Sequence, residues 1–208
     1  MPAASETPAV VLRPLTPARW DDFVALFGPR GAAGGCWCMF WRQSGDEWRG
    51  RTNDGNRRAM RRIVAGPRRP GLLAYRDGKP VGWVSVAPRE EFTRLERSRA
   101  LGPIDDEQVW SIVCFYIKAG QRRGGVGGAL LRGALDEAAK RGATIVEAYP
   151  IDSSVRTVSN GEAYTGVLPM FTRAGFREVA RRHPSRPIVR KRVRKRQGKA
   201  ASTSSIGP

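Results

Sequence analysis

A buried strand that runs directly into a glycine-rich turn and an amphipathic helix is the feature that most constrains the fold of this chain. The run Val109–Ile117 is rich in β-branched and aromatic residues, which is typical of a strand covered on both faces. Four glycines follow within residues 124–128, and a helical apolar stripe covers Val126–Arg141. Because a strand buried on both faces needs a layer on each side, the sequence predicts an α/β domain.

Elements before and after this unit predict a central mixed sheet flanked by helices. Asp77-Gly78 separates two β-rich runs, and this dipeptide is the strongest short-range signal for a hairpin. The polar segment 90–107 is interpreted as an excursion from the sheet. The remaining predicted elements are a strand at Val10–Leu15, helices near residues 20–27 and at Asp54–Ala65, a strand at Ile145–Tyr149, a short helix ending in MFTRAGF, and a strand at Ile188–Val193.

Length and composition favour one globular domain. The 208 residues suffice for a single well-buried α/β core, which we predict at residues 1–193, followed by a basic tail at 194–208. No apolar run approaches 18 residues, so no membrane span is expected. The first residues lack the pattern of a secretory signal, and three cysteines are too few for a disulfide framework. We therefore expect a cytoplasmic protein.

The positive charge is concentrated near the C-terminus. The formal net charge is +18, and the ten Lys and Arg residues after residue 180 face no acidic residue. A basic domain attracts polyanions in general, including nucleic acid and phosphorylated cofactors. Charge alone therefore leaves the partner open.

The glycine-rich turn has the properties of a phosphate site. A helix N-terminus offers unpaired amides and a positive dipole end, and glycines let the backbone approach an anion closely. Residues 117–131 read IKAGQRRGGVGGALL. This turn lacks the Lys-Ser/Thr pair of a P-loop and the third glycine of a dinucleotide-binding fingerprint.

The same residues resemble a known family. The segment RRGGVG at Arg122–Gly127 resembles the R/Q-x-x-G-x-G/A signature of GNAT acetyltransferases, and Gly127–Leu131 resembles its continuation. In a chain this rich in Arg and Gly the pattern is expected about once by chance, so its position between strand and helix carries the resemblance. Ala174–Phe176 also resembles the closing Tyr-x-x-x-Gly-Phe element of the family.

The resemblance implies the GNAT acyl-CoA N-acyltransferase fold, with acetyl-CoA as co-substrate and direct attack of an acceptor amine on the thioester. It implies that the turn holds the CoA pyrophosphate. It also implies that the strand edge pairs with the pantetheine arm, while an amide near that edge polarises the acetyl carbonyl. The implied CoA-binding residues are Phe115, Tyr116, Ile117, Arg122, Arg123, Gly124, Gly125, Val126, Gly127 and Gly128.

The proton carriers depart from the family pattern. The usual acid of the family is a Tyr four residues before the closing Gly, where this chain has Phe171. Glu147 and Tyr164 are the leading candidates to replace it, and Tyr149 and Glu107 are further ones. Tyr164 would share a face with Phe171 on a continuous helix, but Pro169 puts that continuity in question.

The cysteine-rich loop at Gly34–Arg42 admits two interpretations. Zinc prefers four ligands, and beyond Cys36 and Cys38 the chain offers only Cys114 and one distant His, so no metal is expected. Either Trp37, Trp41 and Arg42 only pack, or at least one of them lines the acceptor pocket.

A second functional hypothesis comes from Phe171 and the basic tail. The chain would then be a GNAT-like module with weak transferase activity that binds nucleic acid or the ribosome, or that acylates an RNA-linked amine such as an aminoacyl-tRNA. The acceptor, the acyl length and the oligomeric state, including a homodimer, stay open at this point.

Overall fold

The computed structural model describes residues 9–155, 157–159 and 161–194. Within these residues seven strands form one sheet in the order β1-β2-β3-β4-β5-β7-β6. The strands are β1 (Val11–Pro14), β2 (Gly71–Arg76), β3 (Lys79–Pro88), β4 (Trp110–Ile117), β5 (Ile145–Ala148), β6 (Arg177–Ala180) and β7 (Ile188–Arg192). The helices are α1 (Trp20–Phe27), α2 (Gly45–Arg49), α3 (Asn53–Ala65), α4 (Thr93–Glu96), α5 (Val126–Lys140) and α6 (Leu168–Arg173).

The sheet is mixed, as predicted. Strands β1 to β4 pair antiparallel in chain order, and β5, β7 and β6 form a second antiparallel ribbon. The two ribbons meet where β4 and β5 pair in parallel. The predicted hairpin between β2 and β3 is confirmed, and its turn residues Asp77 and Gly78 have φ values of 49° and 70°, as a type I′ turn requires.

Helices cover both faces of the sheet, which confirms the layered α/β prediction. Leu72 of β2 and Leu130 of α5 share one buried cluster, whereas Leu73 packs on the opposite face with Phe23 of α1 and Met60 of α3. Adjacent residues of β2 therefore serve different layers, as the two-residue period of a strand dictates.

The segment 90–107 is more than the predicted polar excursion. Phe92, Leu95 and Leu101 are buried in a third cluster with Trp41 and Tyr149. These apolar residues are sparse in the sequence, but the short helix α4 and the turns beside it bring them to one side. The polar composition of the segment concealed this core.

One strand was not predicted. β6 is a four-residue edge strand with largely exposed side chains, so it lacks the alternating apolar pattern that signals a half-buried strand. Among the described residues no helix has the length and apolarity needed to cross a membrane.

Candidate active site

The sheet opens between β4 and β5. Their pairing runs only from Trp110↔Val146 to Ile112↔Ala148, whereas β4 stays paired with β3 as far as Ile117. Beyond Ala148 the chain leaves the sheet, and Ile151 makes an isolated bridge to Val167 instead. Within the described residues, the second half of β4 therefore has a strand neighbour on one side only.

Strand geometry identifies which backbone groups face this opening. The amide of Lys118 donates to the Val81 carbonyl at 3.0 Å, and alternate residues of an antiparallel strand bond to the same neighbour. Tyr116 thus directs its backbone toward β3, while Phe115 and Ile117 direct theirs toward the opening. A register shift in the pairing with β3 at Ser85/Val86 makes Val113 an extra residue of β4, and such bulges re-aim the strand that carries them.

The glycine-rich turn presents free amides at the start of α5. The residue before the helix, Gly125, has φ 77°, and a Cβ there would contact nothing within 4 Å. Backbone conformation rather than space thus favours glycine at this position. The first amide that bonds back to this turn is that of Ala129, which donates to the Gly125 carbonyl at 3.0 Å. The amides of Val126, Gly127 and Gly128 precede it and have no partner inside the helix.

A distant arginine fixes this turn. The guanidinium of Arg76, at the end of β2, donates to the Gly124 carbonyl and to the Gln121 side chain, both at 2.7 Å. The side chains of Arg122 and Arg123 are exposed beside it. Sequence reasoning missed Arg76 because the contact spans more than 40 residues and leaves no local signal.

A cavity of about 260 Å³ lies against the open half of β4. Its wall combines aromatic side chains, three thiols and two phenols, and none of the described lining residues is an Asp, Glu, Lys, Arg or His. The lining residues are Phe27, Ala32, Ala33, Cys36, Cys38, Phe40, Trp48, Cys114, Phe115, Tyr116, Gly161 and Tyr164. The cavity therefore joins the predicted strand edge to Tyr164.

Tyr164 reaches the cavity from a turn of its own. It belongs to a 3₁₀ turn at Glu162–Thr165, and α6 begins separately at Leu168 with Pro169 in its first turn. The helix that would have linked Tyr164 to Phe171 is therefore interrupted. Burial raises the pKa of Tyr164, and nearby Arg186 only partly opposes this. The phenol thus stays protonated at neutral pH and can donate a proton.

Phe171 is a core residue. Its ring is fully buried and packs edge-on against Phe115 and Phe176, with centroid distances of 6.1 and 5.2 Å. The position of the usual family acid is therefore used for packing in this chain.

Glu147 lies outside the cavity wall and has a structural role. Its carboxylate is fully buried, forms ion pairs with Arg89 and Arg190, and accepts a hydrogen bond from Tyr149. Such a carboxylate is compensated by charge and shielded from any acceptor, which argues against our prediction of a proton carrier. The sequence could not reveal this because both arginines are remote in the chain.

The two lesser candidates also lie away from the cavity lining. The Tyr149 side chain is fully buried, and its hydroxyl is 2.9 Å from that of Ser111. Burial, together with the charge of Glu147, raises the pKa of Tyr149 well above its usual value. Glu107 is exposed and lies 4.0 Å from Arg192.

The cysteine-rich loop reaches the cavity through other residues than those we named. Trp37 and Trp41 are buried in two different clusters, and Arg42 pairs with Glu91 at 2.7 Å. These contacts agree with the packing interpretation, and none of the three residues lines this cavity. Cys36, Cys38 and Phe40 of the loop line the cavity, together with Trp48 of α2. Among the described residues, no group of three or more His, Cys, Asp or Glu is arranged to hold a metal ion.

Comparison with known proteins agrees with the fold. Residues 37–159 match the model of a family described as the acetyltransferase (GNAT) family. The GNAT domain of PAT from S. lividans has a TM-score of 0.53 at 14% identity, covering 91% of this chain and 99% of that one. An acetyltransferase from Thermus thermophilus has a TM-score of 0.51 at 18% identity, with 90% and 99% covered.

A ribosomal-protein-alanine N-acetyltransferase from Brucella melitensis has a TM-score of 0.50 at 16% identity, with 88% and 99% covered. At such low sequence identities, the similarity to these structures supports the fold alone. None of the curated proteins compared with the sequence matches it.

Proposed function

Since the chain belongs to the GNAT acetyltransferase family, whose members transfer an acyl group from an acyl-CoA to an amine, we propose that this protein uses acetyl-CoA and acetylates a primary amine. The choice of acetyl-CoA among the possible acyl-CoA donors rests on the description of the family as acetyltransferases. The single observation that best supports the site is the open half of β4, which adjoins the cavity and leads into the glycine-rich turn.

The pyrophosphate of CoA fits the start of α5. Three successive amides, those of Val126, Gly127 and Gly128, have no helical partner, and the dipole of a helix of this length favours an anion there. The exposed side chains of Arg122 and Arg123 add positive charge. Arg76 holds the turn in place, so little order has to be gained on binding.

The pantetheine arm fits the open edge of β4. Phe115 and Ile117 direct backbone groups into the opening, where an extended amide-bearing chain can take the place of the missing strand. In this arrangement the amide of Phe115 lies beside the cavity and is our candidate donor to the thioester oxygen.

The transfer needs one proton donor for the departing sulfur. We assign this role to Tyr164, because its phenol lines the cavity and its pKa is raised by burial. The neutral amine attacks the thioester carbon, the carbon–sulfur bond breaks, and the CoA sulfur takes the phenolic proton. The nitrogen then gives up its extra proton, which restores the phenol and leaves the neutral amide.

The cavity also limits the acceptor. Burying a charged group without a partner is costly, and the described lining holds no carboxylate that would pair with a cationic substituent. Phe27, Phe40, Trp48 and Tyr116 offer aromatic surface. We therefore propose a primary amine whose neighbouring group is apolar, with phenethylamine as a probe.

The second hypothesis, nucleic-acid binding through the basic tail, stays a prediction. Residues 195–208 lie outside the part of the chain that the structure describes. The arginines of α3 at 57, 58, 61 and 62 are exposed, as is usual for charged residues on the solvated face of a helix, and no further observation favours a nucleic-acid site.

The test pairs cofactor binding with turnover. Calorimetry should detect binding of acetyl-CoA to the full chain. Chromatography and mass spectrometry should detect N-acetylphenethylamine, formed faster than the products from putrescine or from an aspartate-rich peptide. A protein that binds acetyl-CoA but prefers the charged amines would refute the acceptor class alone. Absence of acetyl-CoA binding would refute the proposed function.

A further inference from the structure

Three thiols meet at the cavity, although they are distant in the sequence. Cys36 and Cys38 come from the loop after α1, and Cys114 comes from β4. Cys114 immediately precedes Phe115, our candidate donor to the thioester oxygen. A group that contacts Cys114 from the loop therefore lies next to the place where the amine has to attack.

Cys38 accepts a hydrogen bond inside the protein. The Trp83 indole donates to its sulfur at 3.2 Å, and the Cys114 thiol lines the same cavity. The Cys38 residue is only 6% exposed, so the bond from Trp83 acts with little competition from water. A donor directed at a buried sulfur favours its ionised form.

A buried cation strengthens this preference. Arg42 is 8% exposed, and its Nη1 pairs with Glu91. Within the described residues, its Nε and Nη2 have no hydrogen-bond partner. The positive charge of Arg42 adds to the effect of the hydrogen bond from Trp83.

The three thiols differ in pKa as a result. The hydrogen bond from Cys114, aided by Trp83 and Arg42, lowers the pKa of Cys38 to about 7 against the effect of burial. Burial raises the pKa of Cys36 to about 11. Donation to Cys38, together with burial, raises the pKa of Cys114 well above its usual value. The cavity wall also carries the titratable side chains of Tyr116 and Tyr164. Of the three thiols, Cys38 is the one suited to change charge near neutral pH.

The backbone holds this thiol at a cost. Trp37 and Cys38 have φ values of 45° and 60°, in the left-handed region that costs an ordinary residue about 1–2 kcal/mol. The turn buries Trp37 among Phe23 and Phe27 while it presents the next side chain to the cavity. Residues held in this region tend to cluster at functional sites.

We propose that Cys38 is the proton acceptor for the amine, on the premise of the acyl transfer proposed above. The Cys38 thiolate takes one proton from the acceptor ammonium, and the neutral amine attacks the thioester carbon. The carbon–sulfur bond breaks, the CoA sulfur takes the proton of Tyr164, and the second proton lost by the nitrogen returns to Tyr164. Cys38 then releases its proton to solvent, so each turnover releases one proton.

The thiolate can be tested without any substrate. Absorbance at 240 nm, followed against pH in the full chain, should show one thiol that ionises near pH 7. Cys36→Ser should keep this step, Cys38→Ser should remove it, and Trp83→Phe should move it to higher pH because it deletes the indole donor. A wild-type protein with no thiolate step below about pH 8.5, the ordinary range of a free cysteine, overturns the proposal.

Kinetics test the role. With acetyl-CoA and phenethylamine, kcat/KM of the wild type should rise with pH through about 7. Cys38→Ser should lower it by about 10²-fold, as for a lost general base, and should abolish that rise while the Kd for acetyl-CoA stays unchanged. Cys36→Ser should keep the rise near pH 7 whatever its effect on kcat.

Two results would assign Cys38 another role. Acetylation of Cys38 after mixing with acetyl-CoA alone, detected by mass spectrometry of the intact chain, would make it a nucleophile and overturn the proposal. An unchanged pH profile in Cys38→Ser would do the same. Failure of the proposed function looks different, because the wild type would then neither bind acetyl-CoA nor turn over while the thiolate step persisted.

Discussion

Placing one negative charge at the start of α5 should separate cofactor binding from folding. A Cβ at Gly127 would lie 3.4 Å from Ile117 and 3.6 Å from Met170, which is ordinary contact, so Gly127→Asp fits without rearrangement. At the second position of the helix an acidic residue interacts favourably with the dipole by about 0.3–1 kcal/mol. Replacing glycine by aspartate in a helix also stabilises by a few tenths of a kcal/mol, since Asp has only a slightly better helix propensity than Gly. The melting temperature should therefore stay level or rise.

The same charge should repel the pyrophosphate. For one pair of like charges about 5 Å apart at an effective dielectric constant of about 20, the repulsion is about 3 kcal/mol. This corresponds to a roughly 200-fold weaker Kd, and the second phosphate adds to it. Fold stability and cofactor affinity should thus change in opposite directions.

Calorimetric titration of acetyl-CoA into Gly127→Asp and the neutral control Gly127→Asn isolates the charge from the added atoms. We expect the Asn variant to bind within about tenfold of the wild type, since it loses no more than the equivalent of one hydrogen bond. The Asp variant should bind about two orders of magnitude more weakly than Asn. Equal affinities for the two variants would show that the pyrophosphate does not lie at this helix start.

Three further changes test other parts of the site. Tyr164→Phe should lower kcat by about 10²-fold with an unchanged Kd for acetyl-CoA, because it removes the proposed acid. Steady-state kinetics at saturating acetyl-CoA measure this effect, and a loss below threefold would exclude Tyr164 as the acid. Arg76→Ala should weaken acetyl-CoA binding, measured by calorimetry, by about tenfold, the equivalent of one charge-assisted hydrogen bond to the turn. Unchanged binding would mean that the turn is ordered without Arg76. Arg89→Met should lower the free energy of unfolding by about 3–5 kcal/mol in urea denaturation, since it leaves the Glu147 carboxylate buried with one cation fewer. A loss under about 1 kcal/mol would contradict the structural role of the pair formed by Arg89 and Glu147.

The sequence predicts those parts of this fold that local chemistry determines. The hairpin at Asp77-Gly78 follows from turn preference, and the passage from β4 to α5 follows from the change from strand to helix periodicity. The mixed sheet follows from their order. Strand β6 escapes prediction because an exposed edge strand has no apolar alternation.

The candidate site is less predictable because its groups meet through tertiary contacts. Whether Glu147 serves catalysis or structure depends on Arg89 and Arg190, which lie 58 and 43 residues away. Cys38 resembles any packed cysteine until Trp83 and Cys114 are seen beside it. Among the predicted proton carriers, only Tyr164 lines the cavity.

The short seam between β4 and β5 gives this architecture a built-in means of variation. Three residue pairs join the ribbon of β1 to β4 to the ribbon of β5, β7 and β6, and each ribbon has its own antiparallel hydrogen bonds. A small rotation about the seam would change the width of the opening between β4 and β5 without breaking a backbone hydrogen bond inside either ribbon. Ile112 and Ala148 form the last pair of the seam and are fully buried in the cluster beneath α5, so a change of side-chain volume there acts on the opening through the packing of both ribbons. The group that this site accepts therefore depends on the packing behind the seam as well as on the side chains that line the cavity.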